Sequence, residues 1–222
     1  MTTLTIDVVS DVVCPWCFIG KRNLDRALEL WRAERSDCDV TVRWRPFFLN
    51  PDTPESGEPY RPFLEKKFGG PKQLQEIWQR VSEAGRKAGI EFAFEKIELR
   101  ANTLNAHRLI HHAQTGAGGA AIEAVIEALF AAQFLDGRHI GDRAVLAAVA
   151  GESGMDRDAV RRYLDSAEDV DEVGAVAAEM QRMGIGGVPF FMFNKRLSAS
   201  GAQPPEALLQ AMREAASAPA AA

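Results

Sequence analysis

Cys14 and Cys17 stand two residues apart in the stretch from Asp11 to Lys21, with Pro15 and Trp16 between them. Two thiols at this spacing can close a disulfide, pass it to another molecule and reopen, because one sulfur attacks and the other resolves. The same spacing can form half of a zinc site, which needs two more ligands, and only Cys38 and four histidines remain to supply them. The pair can also be inert. Redox chemistry is the reading these residues favour.

The elements that position the pair are legible around it. Leu4, Ile6, Val8 and Val9, bounded by Ser10 and Asp11, read as a strand, and Leu24, Ala27, Leu28 and Trp31 recur on one face of a helix over about 19–34. The cysteines thus lie at a strand-to-helix junction, with Pro15 in a first-turn position where its missing N–H costs nothing. A thiol there faces unpaired backbone N–H groups and the positive end of the helix dipole. Cys14 is therefore expected to be the exposed, readily ionised attacking sulfur, and Cys17, one turn further in, the partly covered resolving one.

Val40, Val42 and Trp44 alternate with polar residues, giving a second, half-buried strand parallel to the first. Five prolines between Pro46 and Pro62 make 47–61 an irregular connection. Helical periods follow at 63–68, 72–88, 104–112 and 122–134. Helices capped by Asp142 and Asp156 come next, then one from Val170 to about Gly184. Gly69, Gly70 and Pro71 punctuate the first two, and residues 116–119 separate another pair. Phe92 and Phe94 read as a loop edge. Phe190–Phe193 is a buried strand, Asn194-Lys195 a two-residue turn and 196–200 its partner strand. A last helix carries Ala207, Leu208 and Met212, and 217–222 should fray. The order βαβ, helical block, ββα predicts an α/β domain in two parts, 1–48 and 184–222, around a helical domain inserted at 49–183.

Hydrophobic residues at 46%, charged residues at 26% and a net charge of −5 describe an ordinary globular chain, neither disordered nor a general nucleic-acid binder. No apolar run approaches a membrane span, and the N-terminus lacks the features of a signal peptide, so a cytoplasmic location is expected. There a vicinal cysteine pair is a catalytic or sensing feature rather than a staple. Cys38, in a polar turn, reads as a semi-exposed bystander. Asp7 and Asp11 are candidates for a buried acid or a cap. His107 and Arg108 invite acid–base or anion-binding roles, and His111 and His112 read as surface residues.

Three parts of the chain, far apart, resemble the DsbA family of thioredoxin-fold oxidoreductases. They are Cys14-Pro15-Trp16-Cys17, Gly187-Val188-Pro189-Phe190 and the helical insertion between them. Residues 14–21, 44–47, 102–108 and 200–204 are most similar to the FrnE-like branch. The resemblance implies a thioredoxin-like fold with a large inserted helical domain and a cis Val188–Pro189 bond facing the cysteines. It further implies Cys14 and Cys17 as catalytic residues and Trp16, Val188, Pro189, Asn102 and His107 as substrate contacts. Related 2-hydroxychromene-2-carboxylate isomerases and kappa-class glutathione transferases use bound glutathione. Gly201, Ala202 and Gln203 match their glutathione-contacting segment, although Gln203 stands where those proteins often carry an acid.

The expected activity is thiol–disulfide exchange with a protein or small-molecule substrate. It needs no metal or organic cofactor and involves neither nucleic acid nor membrane, and a monomer and a homodimer both remain open. The rivals are a glutathione-dependent isomerase or transferase acting on an aromatic small molecule, and a non-catalytic redox-sensing module.

Overall fold

The computed structural model describes residues 2–35, 37–116 and 121–217, so the spacer at 117–119 and the chain beyond Ser217 lie outside the described residues. The sheet has the order β2-β1-β5-β6, built from β1 (Thr2–Ser10), β2 (Cys38–Pro46), β5 (Phe190–Phe193) and β6 (Leu197–Ser200). β1 pairs parallel with β2 and antiparallel with β5, so residues from both ends of the chain meet in adjacent strands.

β1 is buried on both faces, as a central strand should be. Leu4, Ile6 and Val8 join the main core with α1 (Pro15–Glu34) and α9 (Pro205–Ser217), while Val9 packs with Met180, Ile185 and Met192 on the other side. Asn194 and Lys195 both take positive φ in a tight turn that the Arg196 N–H closes on the Phe193 carbonyl at 3.0 Å, but Phe193 faces Leu197, so three residues rather than the expected two connect β5 and β6. The Asn194 side chain secures the turn, accepting from the Thr5 N–H at 2.9 Å and donating to the Ala215 carbonyl at 3.1 Å. In α9 it is Leu208, Leu209, Met212 and Ala215 that face the core, and Ala207 is exposed.

Between β2 and β5 run β3 (Glu58–Pro59), α2 (Tyr60–Phe68), α3 (Pro71–Lys87), a 3-10 turn (Phe94–Lys96), β4 (Leu99–Arg100) and α4 (Leu104–Thr115). After them come α5 (Ala121–Phe134), α6 (Arg143–Glu152), α7 (Arg157–Asp165) and α8 (Val170–Arg182). The expected fold, a thioredoxin-like sheet carrying an inserted helical block, is present. Asp142 and Asp156 each accept two backbone N–H bonds at the starts of α6 and α7, as their positions before the apolar periods imply.

Three further local expectations differ. α2 begins at Tyr60 rather than 63, because Pro62 falls in the first turn, where no intrahelical N–H bond is needed. The β3–β4 ladder interrupts the helical block, and two residues per strand are too few for any alternation to signal it. Phe94 is no loop edge: it is buried and stacks on Phe92 and Trp78, with ring centroids 4.9 and 5.3 Å apart.

That aromatic cluster also ties the sheet domain to the insertion. Phe18, directly after Cys17, stacks on Phe130 of α5 at 5.1 Å and meets Phe92 edge-on at 6.2 Å. The main core therefore continues from the sheet into the helical block.

Arg108 holds the insertion together from within. It is fully buried, and its guanidinium donates to the carbonyls of Tyr163, Leu164, Ser166 and Glu168 and to Asn105 Oδ1, at 2.8–3.2 Å. These bonds occupy the open C-terminal carbonyls of α7, so the residue serves structure rather than anion binding. His111 and His112 are half-buried rather than ordinary surface residues, and His112 stacks on Tyr163 with centroids 4.2 Å apart. Replacing Arg108 with Met should destabilise the protein by about 3–5 kcal/mol, because several buried carbonyls lose their donor at once. Urea unfolding checks this, and Arg108→Lys should rescue less than half, since an ammonium cannot span the same fork of acceptors.

Candidate active site

β1 ends at Ser10, and its last turn delivers Cys14 as the N-cap of α1, with Pro15 following at the first helical position. The Cys14 side chain makes no capping bond. Its carbonyl instead accepts the N–H groups of Cys17 and Phe18, at 3.0 and 3.3 Å. The sulfur is left facing the Val188 carbonyl, which accepts from the Cys14 Sγ at 3.8 Å. Both thiols are free.

The burial of the pair differs from expectation at Cys14. Only 6% of that residue is exposed, because Val188 lies across it, but it still lines an apolar cleft beside the site. Cys17 is more deeply buried, at 1%, and its thiol is pushed well above the usual cysteine range. Burial is the main cause, and the hydrogen bond and charge of Cys14 add to it. Ser10 and the Asp11 backbone act in the opposite direction. The two sulfurs are thus inequivalent in the sense that exchange requires.

The Val188–Pro189 peptide is cis. A Cβ built on Gly20 would lie 2.9 Å from the Pro189 ring and 3.2 Å from Phe191, so only glycine lets α1 approach this closely. The sequence held Gly20 inside the motif without indicating this purpose. On the far side the Gly201 N–H donates to the Pro189 carbonyl at 2.8 Å, and Asn23 of α1 donates to the Gln203 carbonyl at 2.9 Å. The segment 201–203 is thereby tied to both α1 and the Pro189 loop.

Asp11 is a buried acid used as a clamp. Its carboxylate accepts the Leu49 N–H at 2.8 Å and the Val13 N–H at 3.5 Å, and lies 3.4 Å from His107 Nε2. Asp7 pairs with Arg45 at 2.8 Å, across the β1–β2 ladder. His107 packs edge-on against Phe48 and lines a second cavity with Trp44 and His111, apart from the Cys14 cleft. Asn102 donates to the Thr53 carbonyl at 2.7 Å and accepts from the Leu104 N–H at 3.0 Å, stapling the loop before α4. The structure thus gathers Cys14, Cys17, Trp16, Val188 and Pro189, while His107 and Asn102 stand behind the Cys14–Cys17 turn.

Cys38 is not in a polar turn. It is buried as the first residue of β2, opposite Thr2, whereas Cys14 follows the other end of β1, roughly 25 Å away at strand spacing. Among the described residues the one group of three acid or histidine ligands with atoms within 4.8 Å is His111, Asp169 and Glu172, which includes neither cysteine of the motif.

The wall opposite the cysteines comes from the insertion, through Tyr60, Phe63, Trp78, Phe94, Arg100 and Gln133. Tyr60 is held as a neutral phenol well above its usual range, first by burial and then by the charge of Cys14. No sequence pattern marked this wall, because its residues come from five separate elements.

Two outcomes follow from this geometry. Gly20→Ala gains about 1 kcal/mol of helix propensity but must displace the Pro189 ring, at about 1–3 kcal/mol. A net loss of about 1 kcal/mol in urea unfolding and an approximately tenfold loss of exchange rate are expected. Because the native state holds the Cys17 proton, stability is complete below the ordinary thiol value of 9.0 and falls as pH rises above it. Reduced wild-type protein should therefore lose more stability between about pH 9 and 10.5 than Cys17→Ser, measured by denaturant midpoints.

A family model for the DSBA-like thioredoxin domain matches residues 5–213. The uncharacterized protein YwbO of Bacillus subtilis (strain 168) is 29% identical over 165 residues, 74% of this chain and 73% of that protein. The crystal structure described as "probable DsbA oxidoreductase SCO1869", from Streptomyces coelicolor, aligns with a TM-score of 0.85. The two are 30% identical, with 96% of this chain and 89% of that chain covered. The fold recurs in the cytosolic disulfide reductase DsbM of Pseudomonas aeruginosa with GSH, at a TM-score of 0.64 and 17% identity, over 95% of this chain and 98% of that one. With its two inequivalent cysteines at the head of α1, the chain belongs to the DsbA-like thioredoxin-domain family.

Proposed function

We propose that the protein is a cytoplasmic thiol–disulfide oxidoreductase whose redox centre is the Cys14–Cys17 pair. The observation that supports this most is the asymmetry of the two sulfurs. Cys14 caps the helix and opens on the cleft, and Cys17 lies one turn inside with its proton held by burial.

In the reducing direction the Cys14 thiolate attacks one sulfur of a substrate disulfide, and the other substrate sulfur leaves as a thiolate and takes up a proton. The mixed disulfide removes the negative charge from Cys14, and with it one of the causes that hold the proton on Cys17. Cys17 then ionises and attacks Cys14 Sγ, which releases the second substrate thiolate and leaves the protein disulfide. Two electrons pass from the dithiol to the substrate. Oxidation of a dithiol runs the same steps backwards. Trp16, Val188 and Pro189 border the reacting sulfur and contact the substrate, while Asn102 and His107 position the loops behind it. No metal or organic cofactor enters these steps, and neither nucleic acid nor membrane is among the proposed partners. Among the described residues no helix is long and apolar enough to cross a membrane.

A glutathione-dependent isomerase or transferase is the second reading, favoured by the apolar cleft beside Cys14 and by the tie from Gly201 to Pro189. In that reading Gly201, Ala202 and Gln203 hold the tripeptide.

The experiment is a redox titration with insulin-reduction and glutathione-binding assays on three proteins. Cys14→Ser should lower turnover by about three orders of magnitude or more. Cys17→Ser should accumulate mixed disulfides on Cys14, visible by mass spectrometry. Full activity in Cys17→Ser together with glutathione binding would move the assignment to the isomerase or transferase. A titratable disulfide without turnover would make the pair a sensor.

A further inference from the structure

Thiol exchange requires access to one sulfur, and the cleft beside Cys14 offers much more. Its volume is about 310 Å³, within the range of small-ligand pockets. Tyr60, Trp78 and Phe94 form an aromatic wall, stacked in sequence at centroid distances of 6.5 and 5.3 Å. Among the described residues four large apolar side chains are exposed, and three of them, Trp16, Leu49 and Phe68, stand on this lining. Apolar surface left open at a concave mouth marks a binding site rather than chance exposure.

The polar groups of the cleft are few and unfinished. Gln133 is 1% exposed, and its Oε1 has no donor. Arg100 is 8% exposed, and its Nε has no acceptor, although Nη2 meets Glu58 at 3.0 Å. Its guanidinium lies 3.7 Å from the Phe63 ring centroid, which fixes its plane. A buried polar atom without a protein partner needs a water, an ion or a ligand to complete it, and two such atoms here border one cleft. The charged residues of the described lining are Lys67 and Arg100, both cations, with no carboxylate among them.

We infer that the cleft holds the body of a small aromatic thiol or disulfide that carries a carboxylate-type anion and a hydrogen-bond donor, with its sulfur presented to Cys14. The ring stacks along the aromatic wall, the anion meets Arg100 and Lys67, and the donor meets Gln133. An extended polypeptide fits less well. Its backbone N–H and C=O groups would alternate along walls that are mostly apolar, where a few side chains such as Asn50, Arg100 and Gln133 cannot pair them all. This inference rests on the oxidoreductase reading and names the substrate class for the same site. The reaction is R–S–S–R plus the Cys14 and Cys17 thiols, giving two R–SH and the Cys14–Cys17 disulfide.

The test is a single turnover of reduced protein with 4,4′-dithiodibenzoate, its dimethyl ester, 3,3′-dithiodipropionate and insulin. Each rate is divided by that of the same disulfide with free dithiothreitol, which cancels differences in leaving group. The aromatic carboxylate should exceed the ester and the aliphatic acid by about tenfold each. Arg100→Met, or Lys67→Met on the outer rim should the first variant fold poorly, should shrink the ratio of acid to ester. Equal normalised rates with a Cys14–Cys17 disulfide formed would overturn the substrate class alone, as would a faster reaction with insulin. No reaction with any disulfide, and no disulfide formed in the protein, would overturn the oxidoreductase reading and this inference with it.

Discussion

The site depends on one close approach, that of the first turns of α1 to the Val188–Pro189 segment. Gly20 permits it, the Gly201–Pro189 hydrogen bond holds the loop from behind, and the Val188 carbonyl then comes to lie against the Cys14 sulfur. Residues far apart in the chain are involved, and the pairing of β1 with β5 is what brings them together. If the helix stood farther off, the cysteine pair would remain but the Val188 carbonyl would no longer lie against Cys14.

From that contact follows the difference between the two sulfurs. Cys14 borders both the loop and the cleft, while Cys17 turns into the core beside Phe18. Burial opposes charge, so the inner thiol holds its proton more firmly than an ordinary cysteine does. Asp11 contributes by a different route. Its carboxylate is committed to the Leu49 and Val13 N–H groups and lies beside His107, which fixes the loop after β2 against the redox turn. Leu49 lines the cleft, so Asp11 holds one edge of it in place.

The insertion does more than cover the sheet. Phe18 reaches into its aromatic cluster, Arg108 closes the end of α7, and the short β3–β4 ladder sets Tyr60 and Arg100 on one wall. Chemistry and recognition are accordingly split. In the proposed activity the sheet domain supplies the sulfurs, and the helical block supplies most of the lining of the cleft beside them.

The sequence by itself determined the Cys14–Cys17 spacing at a strand-to-helix junction, the capped helices and the order of strands and helices along the chain. Each of these is local: a cysteine spacing, a period of 3.6 or 2, an aspartate before an apolar run. It also supported the resemblance that located Pro189. Only the tertiary structure decided that Cys14 lies beneath Val188, that Cys38 is buried at the far end of β2, and that Arg108 is a structural stitch. It alone placed His107 and Asn102 behind the site rather than in the cleft. Burial and hydrogen-bond partners belong to pairs of elements, so they have no periodicity to read. The cleft wall opposite Cys14, from Tyr60 to Gln133, has the least, because five elements contribute to it and none repeats a pattern that marks it.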